Sequence, residues 1–345
     1  MATKAVVTAA AGLRNAELTS YGPGDGLPLF IQPVDPRLAN DPDCFRGWYW
    51  DHSDQIDGLL DAAGALVFRG FAVRDTGDFD RLVANYDQPS FGYSGGSAPR
   101  AQLGSRVYEA TSTPASVQIA LHQEMAYLPT YPARLAFFCR MPSVTGGETI
   151  LGDMRRLVAE LDQDFVAKLE RLGVLYTRNL RDRDRSTGDA LFDAIHRNWQ
   201  DAFATEDPSV PTAESAAIGI DAEWLDDGSL CVTYRGPGLM AHPRTGENLW
   251  FNQLLTLNLG PHNTANYECY ERQYGATNRF PFAATFGDGT PLTSAQATAL
   301  AEAADRCTVA FPWSSGDLMI VDNHRVAHGR NTFTGLRNVQ VALLA

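Results

Sequence analysis

LHQEMAYLPTYPARLAFFCRMPSVTGGETILGD, residues 121–153, is the stretch that decides the fold. It begins at the end of SVQIALHQE, which alternates in character as a half-buried strand does. It continues through the apolar, aromatic run ARLAFFCRM and turns at a Gly-Gly pair before the short strand-like segment in GGETILGD. Strand-like segments therefore dominate residues 105–151.

Working outward, DQIDGLLDAAG (54–64) reads as a helix ending at Gly64, and ALVFRGF (65–71) as an apolar strand. A second helix is expected over 78–86 with Asp78 as N-cap, followed by a glycine-rich loop at 90–100. Downstream, residues 153–202 read as helical, with Asp164 capping FVAKLERLG. Strands are expected at 229–235 and 248–258, a helix at 294–305 with Ser294 as N-cap, and strands again in DLMIVDN and NVQVALL at the end of the chain. Strands at both ends of a helical middle argue against a parallel α/β sheet. They point to a mainly β protein with helices: a double-stranded β-helix (jelly roll) core with a helical insertion and flanking helices. We read residues 1–345 as one domain, with an insertion or lid region over approximately 154–247.

Composition narrows the function. The formal net charge of -13 disfavours nucleic acid and anionic membrane surfaces as partners. The five cysteines, Cys44, Cys139, Cys231, Cys269 and Cys307, form no CxxC pair, so neither a zinc knuckle nor a disulfide framework is indicated and a cytoplasmic location is expected. The N-terminal apolar stretch is too weak for a signal peptide, and no run of apolar residues is long enough to span a membrane.

The chemistry starts at His122-Gln123-Glu124. In a strand, residues i and i+2 share a face, so His122 and Glu124 would project together into the barrel. A buried carboxylate needs a partner, and either a hydrogen-bonded pair or a metal ion would supply one. A second segment, GDLMIVDNHRVAHGRNTFTGLR (316–337), carries His324, His328, Arg330 and Arg337 after an apolar strand. One further histidine would complete the 2-His-1-carboxylate set of non-haem iron(II) oxygenases, which leaves open positions for a 2-oxo acid and dioxygen.

Four stretches taken in order are more specific than either motif. They are residues 121–153 as quoted, HPRTGENLWFNQ (242–253), FGDGTPL (286–292) and FPWSSGDLMIVDNHRVAHGRNTFTGLRNVQVAL (311–343). Over roughly residues 60–345 the chain resembles the TauD/TfdA-type iron(II)/2-oxoglutarate dioxygenases. It is closest to the syringomycin-type aspartyl β-hydroxylase branch, and more distantly similar to asparagine oxygenase and clavaminate synthase. The resemblance implies iron(II) on His122, Glu124 and His328, with His324 as the rival third ligand. We read His324 as a surface turn residue. The resemblance also implies 2-oxoglutarate held at its distal carboxylate by Arg337, with Arg330 the alternative, and supported by Thr149, and dioxygen as co-substrate. Tyr93 and Gln118 match positions that touch substrate in relatives.

The implied activity is hydroxylation of an unactivated C–H bond of an amino acid or amino-acid-derived small molecule, free or tethered to a peptidyl carrier protein, in natural-product biosynthesis. Desaturation, epoxidation and cyclisation remain open on the same cofactor. The carboxylate of Glu124 argues against halogenation, for which related enzymes carry a small residue there. Arg178, Arg181, Arg183 and Arg185 lie in the insertion and read either as a site for a substrate carboxylate or phosphopantetheine, or as a solvated face neutralised by Asp182 and Asp184. Two readings of another class use the same side chains differently: a zinc-dependent hydrolase and a metal-free binding module.

Overall fold

The computed structural model describes residues 12–20, 26–89, 101–186, 188, 193, 196–258 and 270–345. The strand Arg134–Met141 shows how its sequence builds the core. Leu135, Phe137 and Cys139 enter one buried cluster with Met319, Val321, Val339 and Val341. Ala136 and Phe138, on the opposite face, enter another with Leu318, Ile320, Ala342 and Leu344. Both faces are covered, which is why these strands read as continuous apolar runs rather than alternating ones.

Arg134–Met141 lies inside a seven-stranded sheet ordered Ala16–Ser20, Leu29–Pro33, Ala65–Phe68, Leu318–Asp322, Arg134–Met141, Asn338–Leu344 and Val107–Glu109. A four-stranded sheet, ordered Thr308–Phe311, Thr149–Asp153, Val326–Arg330 and Ile119–His122, contributes Leu151, Phe311 and Val326 to the first of those clusters. The two sheets thus share one core, and the architecture is the expected mainly β jelly roll with helices. Helices Pro42–Asp51, Ser53–Ala63 and Thr76–Val83 cover the outer face of the larger sheet. Helices Met154–Glu160, Gln163–Leu172 and Ser294–Cys307 pack behind the smaller one through Leu157, Leu169 and Leu300. A further sheet, ordered Asp221–Trp224, Leu230–Gly236, Val174–Leu180 and Phe282–Phe286, stands beside them. Among the described residues no helix is long and apolar enough to cross a membrane.

The helix ending at Gly64 forms as expected. Gly64 takes a left-handed φ of 82°, and a Cβ there would meet Val326 Cγ2 at 2.6 Å, so both conformation and space demand glycine. Other local expectations need correction. Residues 153–202 are not helical throughout: Gly173 ends the helix, and VLYTRNL becomes the inner strand Val174–Leu180, its aromatic and β-branched side chains suiting a pleated surface. The strand expected over 248–258 stops at Trp250, because Asn252 Oδ1 accepts the Leu254 N–H and starts the short helix Leu254–Leu257. The caps are Asp75, Asp162 and Thr293 rather than Asp78, Asp164 and Ser294. In each case a side chain one to three residues earlier reaches the free N–H groups of the first turn. Thr293 with Gln296 forms a full capping box.

His196 is buried beside this third sheet. Its Nε2 donates to the Asn179 carbonyl at 2.9 Å, and the Tyr274 hydroxyl lies 3.1 Å from Nδ1. Burial pushes its pKa down to about 4. The unfolded chain therefore binds a proton that the folded chain refuses between the ordinary histidine pKa and that value. Stability is fully present above pH ~6.5 and is lost as pH falls towards 4, by roughly 3 kcal/mol over the window. Urea unfolding at a series of pH values should show this slope, and His196→Gln should flatten it.

Candidate metal centre

His122 closes the strand Ile119–His122 and is paired directly opposite His328 in Val326–Arg330. The two imidazole centroids lie 4.4 Å apart. The close approach needs Gly329, whose Cβ would stand 2.4 Å from the Ile119 carbonyl oxygen. Glu124 does not arrive by strand alternation, because the strand ends at His122 and Met125, with φ 58°, turns the chain. Hydrogen bonds place it instead. Asn323 Oδ1 accepts the Glu124 N–H at 2.8 Å, while Asn323 Nδ2 donates to the carbonyls of Glu124 and Pro132 at 3.0 and 2.8 Å. Gln123, the buried middle residue, donates to the carbonyls of Trp250 and His324, both at 2.8 Å.

The result brings one possible ligand atom each from His122, Glu124 and His328 within 4.8 Å of one another. His328 Nε2 lies 3.9 Å from a Glu124 carboxylate oxygen, and both side chains are buried. His122 Nδ1 donates to the Ala120 carbonyl at 2.9 Å, which assigns the proton to Nδ1 and leaves the Nε2 lone pair for a metal. Two imidazoles and a carboxylate in a partly dry site fit a divalent transition metal, and iron(II) suits such a donor set.

A cleft of about 170 Å³ opens from His122 and His328 and is lined also by Phe137, Thr149, Arg330 and Arg337. Among the described residues no carboxylate lies within ion-pair distance of Arg337. It donates through Nε to the Gly147 carbonyl at 3.1 Å, and burial lowers its pKa to about 10. A half-buried guanidinium of this kind gains from an anion in the cleft. Thr149 is buried and its hydroxyl accepts the Trp313 indole N–H at 2.8 Å, so its own proton can point elsewhere. Arg330 has a different occupation. Its terminal nitrogens donate to the carbonyls of Thr113, Pro114 and Val117 and tie down that loop.

His324 is not a surface residue. It is buried against Tyr131 and Phe251, and forms a second cluster with His242 and Asp322. His242 Nδ1 accepts the N–H groups of Arg244 and Thr245 at 3.2 and 3.0 Å, so Nε2 carries the proton and donates to Asp322 at 2.8 Å. Both ring nitrogens are thereby used, and the cluster is a strut rather than an ion site. Burial alone would raise the Asp322 carboxyl, but hydrogen bonds from His242 and His324 hold it well below the usual range. Single-position reading missed this role, although HPRTGENLWFNQ already marked His242.

Gln118 is exposed, precedes its strand and meets Asn331 rather than the cleft. Tyr93 lies outside the described residues. The insertion arginines divide. Arg181 donates to loop carbonyls from His196 to Arg185, Arg183 pairs with Asp201 and Glu206, and Arg185 is exposed. Arg178 lines a separate, larger cavity of about 440 Å³ that shares no lining residue with the cleft.

Asn323→Ala removes the clasp on Glu124. We expect a stability loss of about 1–3 kcal/mol in chemical unfolding. Calorimetric titration of the apoprotein with iron(II) should show binding weaker by roughly ten- to a hundredfold, and unchanged affinity would refute the positioning role.

Residues 45–343 match the family model described as "Taurine catabolism dioxygenase TauD, TfdA family". The chain is 31% identical over 293 residues to the dapdiamide synthesis protein DdaC of Enterobacter agglomerans, covering 84% of each. It is 30% identical over 327 residues to a clavaminate synthase-like protein of Arabidopsis thaliana, covering 93% of this chain and 89% of that one. In fold it is similar to the structure of AAD-2 in complex with Mn(II) and N-oxalylglycine, at a TM-score of 0.53 and 13% identity, covering 96% of this chain and 97% of that chain. The chain is a dioxygenase and belongs to the TauD/TfdA family.

Proposed function

We propose that this dioxygenase uses iron(II), 2-oxoglutarate and dioxygen to hydroxylate an unactivated C–H bond of an amino acid or amino-acid-derived molecule. The observation that carries the reading is the meeting of His122, Glu124 and His328, with the two histidines lining a cleft whose walls include Arg337 and Thr149. When bound, iron with 2-oxoglutarate and dioxygen would supply the oxidant for the C–H bond. The residues of the chain do the rest. His122, with its tautomer set by Ala120, holds the metal with His328 and Glu124. Arg337 and the Thr149 hydroxyl take the distal carboxylate and fix how the oxo acid presents itself to the metal. Glu124 keeps the coordination position that a halide would need. A zinc hydrolase on the same three ligands would leave Arg337 and Thr149 facing a cleft with no anion to hold.

The likeness to a dapdiamide synthesis protein supports a role in natural-product synthesis. We read 154–247 as an insertion within one domain, and a reducing cytoplasm as the location, in keeping with the free thiols of Cys44, Cys139, Cys231 and Cys307.

Anaerobic addition of iron(II) and then 2-oxoglutarate should give a weak visible charge-transfer band that requires both, and His328→Ala should abolish it. Iron bound with no band would remove 2-oxoglutarate from the mechanism. Arg337→Gln should leave iron binding unchanged and raise the 2-oxoglutarate concentration needed for the band by roughly ten- to a hundredfold, the loss of a hydrogen-bonded charge pair.

A further inference from the structure

Three backbone groups flank the Glu124 side chain beyond the end of its strand: the Gln123 carbonyl, the Glu124 N–H and the Glu124 carbonyl. Asn323 takes the last two. The Gln123 carbonyl accepts a hydrogen bond from Gln253 Nε2 at 2.8 Å, between buried residues 130 positions apart in sequence. Its other donor, the Ala126 N–H, stands at 3.4 Å, beyond the usual hydrogen-bond range. The Gln123–Glu124 peptide is a planar unit. Held at its N–H alone, such a unit can still swing about that one bond. A second bond at the carbonyl end removes the freedom. Gln253 therefore supplies a restraint that Asn323 cannot supply by itself.

We propose that Gln253 is a positioning residue for the metal centre: acting through the Gln123–Glu124 peptide, it fixes the direction from which the Glu124 carboxylate meets His122 and His328. The inference rests on the reading of those three side chains as metal ligands. It also gives a role to the last residue of HPRTGENLWFNQ, the motif whose histidine serves the Asp322 strut. Gln253 is itself braced on both sides. Its N–H donates to the Tyr176 hydroxyl at 3.0 Å, and its carbonyl accepts the Leu257 N–H at 2.9 Å. Three residues earlier, the Trp250 carbonyl receives Gln123 Nε2 at 2.8 Å. The two glutamines thus clasp each other's segments, each side chain donating to backbone on the opposite side. Trp250, Tyr176 and Leu254 pack in one apolar cluster with Leu121, which precedes His122, so the clasp is set in a dry frame. A hydrogen bond in such surroundings is strong, and a buried carbonyl deprived of its short partner is costly. Turning the peptide to find another donor would carry the Glu124 side chain with it, and metal sites tolerate only about 0.5 Å and 10–20° of such error.

The test uses the full chain without oxygen. Gln253→Met keeps the side-chain volume and removes the donor. Calorimetric titration with iron(II) should show its binding weakened by at least about tenfold. The visible band formed on adding 2-oxoglutarate should also move in wavelength, because the direction of the carboxylate tunes the metal. Asn179→Ala is the control. It removes another buried amide, which donates to the Phe280 carbonyl at 2.8 Å and touches no part of the Glu124 turn. It should lower the urea midpoint while leaving iron affinity and the band unchanged. Gln253→Asn withdraws the amide by one methylene, should act in the same direction as Gln253→Met, and serves if that variant folds poorly. Iron affinity unchanged in the Gln253 variants, or an equal loss in Asn179→Ala, would overturn the inference and leave the ligand reading standing. Failure of the unmodified protein to bind iron(II), or an iron affinity that Glu124→Ala does not alter, would refute the ligand reading itself and the inference with it.

Discussion

The fold and the centre both depend on satisfying the buried polar turn Asp322–Arg325. A turn usually lies in water, and here all four residues are buried, so each polar group must find a protein partner. Asp322 takes the proton-bearing nitrogen of His242. Asn323 clasps the backbone of Glu124 and Pro132. The His324 carbonyl receives Gln123, and Arg325 reaches Asp153 and the carbonyl of Asp61. One turn thus ties together three of the four motif stretches and the helix ahead of the first core strand. It does so immediately before the strand that delivers His328.

Electrostatics complements that scaffold. The protein is acidic overall, yet the half-buried Arg337 lines the cleft that opens from His122 and His328. Solvated acidic groups cost little, whereas a buried guanidinium is expensive unless a negative charge joins it. Arg330 shows that a family motif arginine need not act this way, since its donors are already spent on a loop.

Much of this was legible in the residues. The β architecture followed from period two and from apolar runs such as ARLAFFCRM. His122, Glu124 and His328 were marked by their residue types within ordered motifs, and the helix end at Gly64 by the left-handed conformation glycine alone adopts freely. The misreadings share a cause. Asp78, Asp164 and Ser294 each lie within a few residues of the true cap, and composition does not say which side chain folds back. VLYTRNL follows a helix directly in sequence, and its strand partners at 230–236 and 282–286 are distant in sequence. His324 lies in a turn, a place usually exposed, yet it is buried.

The sequence by itself determined the fold class, the ordered motifs and the candidate metal-ligating side chains, because side-chain periodicity and motif order are carried by the residues themselves. Only the tertiary structure decided how Glu124 reaches the histidines, which histidine is a strut, and which insertion arginine faces a cavity. Those outcomes depend on hydrogen bonds such as Asn323 to Glu124, 199 residues apart, and on burial, neither of which exists until the sheets have closed.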